Sequence, residues 1–161
     1  MSILIAQYRG KSLISKAIKW QTRSVWSHSA IVFPGYTLVE AWHIGGVRLV
    51  RSDNLIECLK ANHSEGTEVD LFSLELEEDK AREFAISQVG KQYDYSLLFN
   101  FLTREPAEVN NKWICSELVA AACSKGGVDL QRLPAQEFSP QLVGISPLLK
   151  FKETVCLTKK T

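Results

Sequence analysis

No stretch of the 161 residues approaches the ~18–20 consecutive apolar residues that a membrane-crossing helix needs. The apolar start, Ile3-Leu4-Ile5-Ala6, turns polar at Gln7 and has no basic residue before it, so it does not read as a secretory signal. A cytoplasmic, reducing location is the expectation. An excess of one charge is also missing. Nineteen Lys and Arg stand against eighteen Asp and Glu, and a broad electrostatic nucleic-acid binder would carry a basic surplus. No nucleic-acid partner is therefore expected. Cys-x-x-Cys is absent as well: the closest two of Cys58, Cys115, Cys123 and Cys156 lie eight apart, which excludes zinc ribbons and redox pairs. A chain of this length and apolar content needs no disulfide staples, so four free thiols are expected. Repeats, low-complexity tracts and linker-like stretches are lacking too, and a single domain over residues 1–161 follows.

What is present reads as mixed α+β. Residues 3–6 suit a buried strand. From Ser12 to about Thr22, Leu13, Ile14, Ala17, Ile18 and Gln21 form a helical stripe with Lys and Arg elsewhere. Strands are predicted at 29–33, 37–41, 47–50 and 69–76, with a turn at Pro34-Gly35 and a break at Gly45-Gly46. Residues 53–66 read as loop with a helical turn. Glu77, Glu78 and Asp79 open a helix running to about Val89, acids at its positive end and Gly90 at its stop. Tyr95 to Leu102 suggests an aromatic-rich helical turn. A strong helix follows from about Trp113 to Lys125, ended by Gly126-Gly127. The proline-bearing tail wraps the surface before a last strand near Phe151–Leu157.

Three residues stand out chemically. Cys115 lies in the first turn of the helix after Trp113, where unpaired N–H groups and the helix dipole stabilise a thiolate. Cys123, eight residues on among Leu118, Val119 and Ala122, reads as a buried, inert thiol. His28 enters an otherwise apolar strand, and its plain alternative is a histidine satisfied at a strand edge. Glu40 ends the run Leu38-Val39-Glu40-Ala41-Trp42, where a carboxylate is costly without a partner. Arg48 or Arg51 can serve as that partner. So can the His28 ring, whose tautomer Glu40 would then fix, as the acid does in Cys–His–carboxylate systems. Strand parity discriminates between these. A two-residue Pro34-Gly35 loop turns His28 and Glu40 to opposite faces, whereas an odd-length loop or a bulge puts them on the same one. His43 and His63 read as solvated surface histidines. A zinc site is not expected, because close-spaced ligand pairs are missing, and no cofactor is implied.

With these residues in order, the chain resembles the permuted, YiiX/YaeF-like branch of the NlpC/P60 papain-like superfamily. The matching pieces are Trp26-Ser27-His28-Ser29-Ala30-Ile31-Val32, Val39-Glu40-Ala41 with Gly46-Val47, Gly90-Lys91-Gln92-Tyr93-Asp94-Tyr95, Trp113-Ile114-Cys115-Ser116-Glu117-Leu118-Val119 and Ser139-Pro140-Gln141-Leu142. In ordinary papain-like enzymes the cysteine precedes the histidine; here it follows, as a circular permutation requires. The resemblance implies a small antiparallel sheet or barrel packed against helices, with the site between sheet and cysteine helix. It also implies Cys115 as nucleophile, His28 as base then acid, and Glu40 as third member. Tyr93 would line the oxyanion site, with Tyr95 as the alternative, and Asp94 is a candidate for the polar group near the cysteine helix.

The activity so implied is that of a cysteine hydrolase, an amidase or peptidase. Its substrates would be peptides, peptidoglycan fragments or lipid-linked amides. Two alternatives share the fold: a thiol-dependent acyltransferase or lipid hydrolase, and a peptide-binding module without turnover. Acyl-handling relatives tend to carry a membrane-binding segment, and the sequence shows no long amphipathic or apolar tail of that kind.

Overall fold

The computed structural model describes residues 2–61, 63–96, 103 and 110–158. In chain order these form β1 (Ser2–Arg9), α1 (Leu13–Thr22), β2 (His28–Phe33), β3 (Thr37–Trp42), β4 (Gly46–Arg51), α2 (Leu55–Lys60), β5 (Glu68–Glu75), α3 (Glu78–Ser87) and α4 (Cys115–Lys125). A 3₁₀ turn (Ala135–Glu137), α5 (Pro140–Gly144) and β6 (Lys150–Cys156) complete them. The six strands make one antiparallel open sheet in the order β4-β3-β2-β1-β5-β6, so the expected sheet is present and is not a closed barrel. Among the described residues no helix is long and apolar enough to cross a membrane.

The apolar runs of the sequence are explained by a sheet covered on both faces. Ile3, Ile5, Ile31, Phe33, Val39 and Ala41 face one layer, where they meet Leu118, Val119, Ala122 and Cys123 of α4 and Ala81 and Ala85 of α3. The alternate residues Ala6, Tyr8, Ala30, Val32 and Leu38 face the other way, onto Cys58 and Leu59 of α2. Strand β1 pairs with β2 on one side and β5 on the other, and it extends beyond the predicted 3–6. Helix α4 begins at Cys115, two residues inside the predicted start. Of the predicted turn at Tyr95 to Leu102, residues 97–102 lie outside the described residues.

Two local features aim the site. The β2–β3 register pairs Phe33 with Thr37, which leaves a three-residue loop of Pro34, Gly35 and Tyr36. Gly35 and Tyr36 both take positive φ, 77° and 50°, as tight hairpin loops require. The loop length is odd, so His28 and Glu40 fall on one face. Gly46, at φ 79°, lies where a Cβ would meet the Lys91 carbonyl oxygen at 2.1 Å. That close approach lets Val47 N–H donate to Lys91 O (2.8 Å), and the next residues carry Tyr93 to a parallel bridge with Trp113, just before Cys115.

Candidate functional site

Cys115 is the first residue of α4, preceded by Ile114 in an extended conformation with no side-chain cap. The unpaired N–H groups of a helix start are therefore turned toward the sulfur region. The backbone N–H groups of Ser29 and Ser116 bond the sulfur itself. Ser116 Oγ donates to Phe138 O (2.6 Å), and Glu117 Oε2 reaches back to the Ile114 N–H (3.5 Å), so the first turn is tied down. Burial raises the Cys115 pKa. The charge and hydrogen bond of His28, with the two backbone donors, outweigh it and bring the thiol below its ordinary value.

His28 starts β2, where the strand ends and the sulfur from the helical layer reaches its ring. Its Nε2 stands 2.5 Å from Glu40 Oε2, which leaves Nδ1 for the Cys115 sulfur. Burial alone would lower the His28 pKa, but the Cys115 and Glu40 charges overcome this and hold it at about 10. Glu40 is fully buried, and each oxygen is occupied. Arg48, directly opposite on β4, donates Nε (2.8 Å) and Nη2 to Oε1, while Oε2 faces His28 and, at 3.4 Å, His63 Nε2. Burial disfavours its charge, yet His28 and His63 hold the carboxyl below the usual range. Both partners proposed from sequence, the arginine and the imidazole, are thus present at once. Arg51 lies opposite Thr37 instead.

His63 corrects the sequence reading. It is not a solvated histidine. Its side chain is 6% exposed, stacks on Tyr8 at 3.9 Å and 13°, and faces Glu40. Burial lowers its pKa, so it is neutral near pH 7. Nothing in Ala61-Asn62-His63-Ser64 announces this, because α2 must first fold back across the sheet. His43 stays outside the cluster, half-buried against Trp42 (4.6 Å). His28 Nε2, His63 Nε2 and a Glu40 oxygen lie within 4.8 Å of one another, a group able to ligate a metal ion.

The remaining residues sort by contact. Tyr93 is buried beside Cys115, and burial and the cysteine's charge raise its pKa well above 10, so it keeps its proton. Tyr95 is exposed and donates its hydroxyl to His43 O. Asp94 accepts from Asn110 Nδ2 (2.6 Å) and Ser96 Oγ (2.5 Å). Burial, with Asp94 nearby, lifts Glu117 to about 7. Cys123 is fully buried and pushed up to about 12, burial also raises Cys58, and Cys156 is exposed.

No protein-family model matches the chain, and no curated protein matches it in sequence. Among solved structures, the metalloprotein YiiX from Escherichia coli O157:H7, of the domain family DUF1105, superposes with a TM-score of 0.66. The match covers 97% of this chain and 98% of that one at 18% identity. The chain shares the YiiX fold.

Within this YiiX-like frame, two clefts flank the Glu40 cluster. A narrow one of about 20 Å³ runs past Cys115, Tyr93, Ser139 and Pro140, with Ile18 and Thr22 of α1 on its other wall. Ser139 caps α5 by accepting from Leu142 N–H (3.3 Å), which holds Pro140 at that wall. The larger, about 480 Å³, is lined by Trp42, Arg48 and His63 on one side and by Lys11, Ser12 and Ser15 at the start of α1 on the other. Helix α1 borders both.

Proposed function

We propose that the protein is a cysteine hydrolase of the permuted NlpC/P60 papain-like type, cleaving an amide bond in a peptide, peptidoglycan fragment or related conjugate. The observation that carries the reading is the hydrogen-bonded chain Cys115–His28–Glu40, closed by Arg48. His28 Nδ1 takes the Cys115 proton, and Glu40 stabilises the imidazolium. The thiolate attacks the carbonyl carbon and forms a C–S bond. The oxyanion is held by the Cys115 backbone N–H and the Tyr93 hydroxyl, which stays protonated and can donate. As the intermediate collapses, the C–N bond breaks and His28 passes its proton to the leaving amine. His28 then deprotonates a water that attacks the thioester. The C–S bond breaks, the acid leaves, and the thiolate–imidazolium pair is restored.

Mass spectrometry tests this directly. Incubation with acyl-amide substrates and peptidoglycan fragments, quenched in acid, should show an acyl adduct on Cys115 that hydroxylamine removes. Cys115→Ala should give none and lose turnover. An equal adduct in the alanine variant, or turnover that survives it, would overturn the proposal.

A second reading rests on the His28, Glu40 and His63 group and on the description of YiiX as a metalloprotein. Two imidazoles and a carboxylate suit zinc in type and number. Yet His28 Nε2 and Glu40 Oε2 stand at hydrogen-bond contact, closer than the roughly 3.3 Å between two tetrahedral zinc ligands. A metal held by these three residues would supply a Lewis acid, and it would take the nitrogen that must carry the imidazolium proton. Metal and cysteine chemistry are therefore exclusive. On the cysteine reading, zinc titration inhibits turnover, and cobalt(II) absorbance appears only as activity falls. On the metal reading, a chelator abolishes turnover and Cys115→Ala leaves it.

A further inference from the structure

None of the residues of helix α1 is buried, although its sequence carries a wide apolar stripe. Leu13, Ala17 and Trp20, at i, i+4 and i+7, share one line along the helix and point outward. Leu13 is 83% exposed and Trp20 is 79% exposed, so both large apolar side chains of the line stand in solvent. Beside that line run Lys16 and Lys19, with Arg23 at the C-cap. Among the described residues none of these three has an ion-pair partner. The first acidic residue of the chain is Glu40, while five basic residues precede it: Arg9, Lys11, Lys16, Lys19 and Arg23. Of these five, only Arg9 pairs with acids among the described residues, meeting Asp70 and Glu68. The near-neutral whole thus conceals a basic first quarter whose one helix shows an apolar ridge to solvent. Across the larger cavity from α1, Ile44 at the tip of the β3–β4 hairpin is 72% exposed and extends the apolar rim.

We propose that α1 docks the protein on an anionic membrane surface. Leu13 and Trp20 enter the headgroup boundary and Lys16, Lys19 and Arg23 meet lipid charge, the arrangement of a helix lying in a membrane interface. The positive flank decides for an anionic lipid surface over a neutral one, since its charge is otherwise unanswered. The opposite side of α1, with Ser15, Ile18 and Thr22, walls both clefts, so such docking sets the site beside the bilayer and offers it substrates carried there. The binding itself does not depend on the cysteine chemistry.

Vesicle co-sedimentation of the full chain tests this, using phosphatidylcholine alone and phosphatidylcholine mixed with phosphatidylglycerol. Cys115→Ala is run alongside and should bind equally, which separates this inference from the proposed reaction. Binding to the anionic vesicles should be at least about tenfold tighter and should weaken with salt. Leu13→Glu with Trp20→Glu should abolish it with an unchanged circular dichroism spectrum, both side chains being exposed. Lys16→Glu with Lys19→Glu should remove the preference for anionic lipid. Equal binding to both vesicle types, or none, would overturn the proposal. So would gel filtration in which wild type is a dimer that Leu13→Glu dissociates, since the ridge would then be a self-association face.

Discussion

At about pH 6, iodoacetamide should alkylate Cys115 ahead of the other three cysteines, and His28→Ala should slow that reaction by roughly a hundredfold or more. The thiolate is the reacting species, and a thiol of ordinary pKa, about 8.5, is well under ~1% ionised at that pH. Cys115 escapes this limit because the His28 imidazolium and the N–H groups of Ser29 and Ser116 stabilise its charge. Cys123, at about 12, and Cys58, raised by burial, should stay unlabelled in the folded protein. Cys156 is the informative competitor because it is the exposed thiol. Were accessibility in control, Cys156 would label first, and that result would refute an activated Cys115. The pH profile should differ too. Cys115 should keep reacting at pH values below the ordinary thiol range, and hydrolysis should decline as pH approaches about 10, where His28 loses its proton.

Glu40→Gln should lower turnover by about 10²–10⁴-fold and destabilise the fold by roughly 3–5 kcal/mol. The carboxylate is buried and is the shared partner of His28, Arg48 and His63, so its loss strands a guanidinium and an imidazolium together. The amide keeps the shape but cannot hold the imidazolium charge. The sign of the pH dependence follows from the shifts. His28 is raised from 6.5 to about 10, so its contribution to stability is complete below 6.5 and is lost as pH rises through about 10. Glu40 is lowered from 4.5, so its contribution is present above 4.5 and is lost as pH falls through its depressed value. The gap in melting temperature between wild type and variant should therefore be widest between pH 4.5 and 6.5 and narrow toward pH 10. Thermal melts across that range read the structural effect, while the alkaline limb of the rate profile, moved down in the variant, reads the effect on His28. A gap that does not vary with pH would refute this account of the pair.

Local chemistry was enough to mark Cys115 as a candidate, because a helix is written in neighbouring residues: Leu118, Val119 and Ala122 after it and Gly126-Gly127 at the end. The same holds for Glu40, whose charge breaks an apolar run, and for the need of an odd-length loop or a bulge between His28 and Glu40, which is arithmetic on a period of two. His63 was not legible in this way. Its partners, Tyr8 and Glu40, lie 55 and 23 residues away, and its immediate neighbours are polar.

The exposure of α1 was hidden for a related reason. Periodicity shows that Leu13, Ile14, Ala17 and Ile18 share a side of a helix, but only packing decides whether that side meets a core or water. What the chain determines by itself, then, is its strands and helices, the residues whose charge or position is out of place, and the parity that aligns them. The tertiary structure decided that one buried carboxylate serves an arginine and two histidines, and that the apolar ridge of α1 faces outward. Both are outcomes of long-range closure: the sheet order and the return of α2 are set by burial summed over many contacts, and no short window of residues contains that sum.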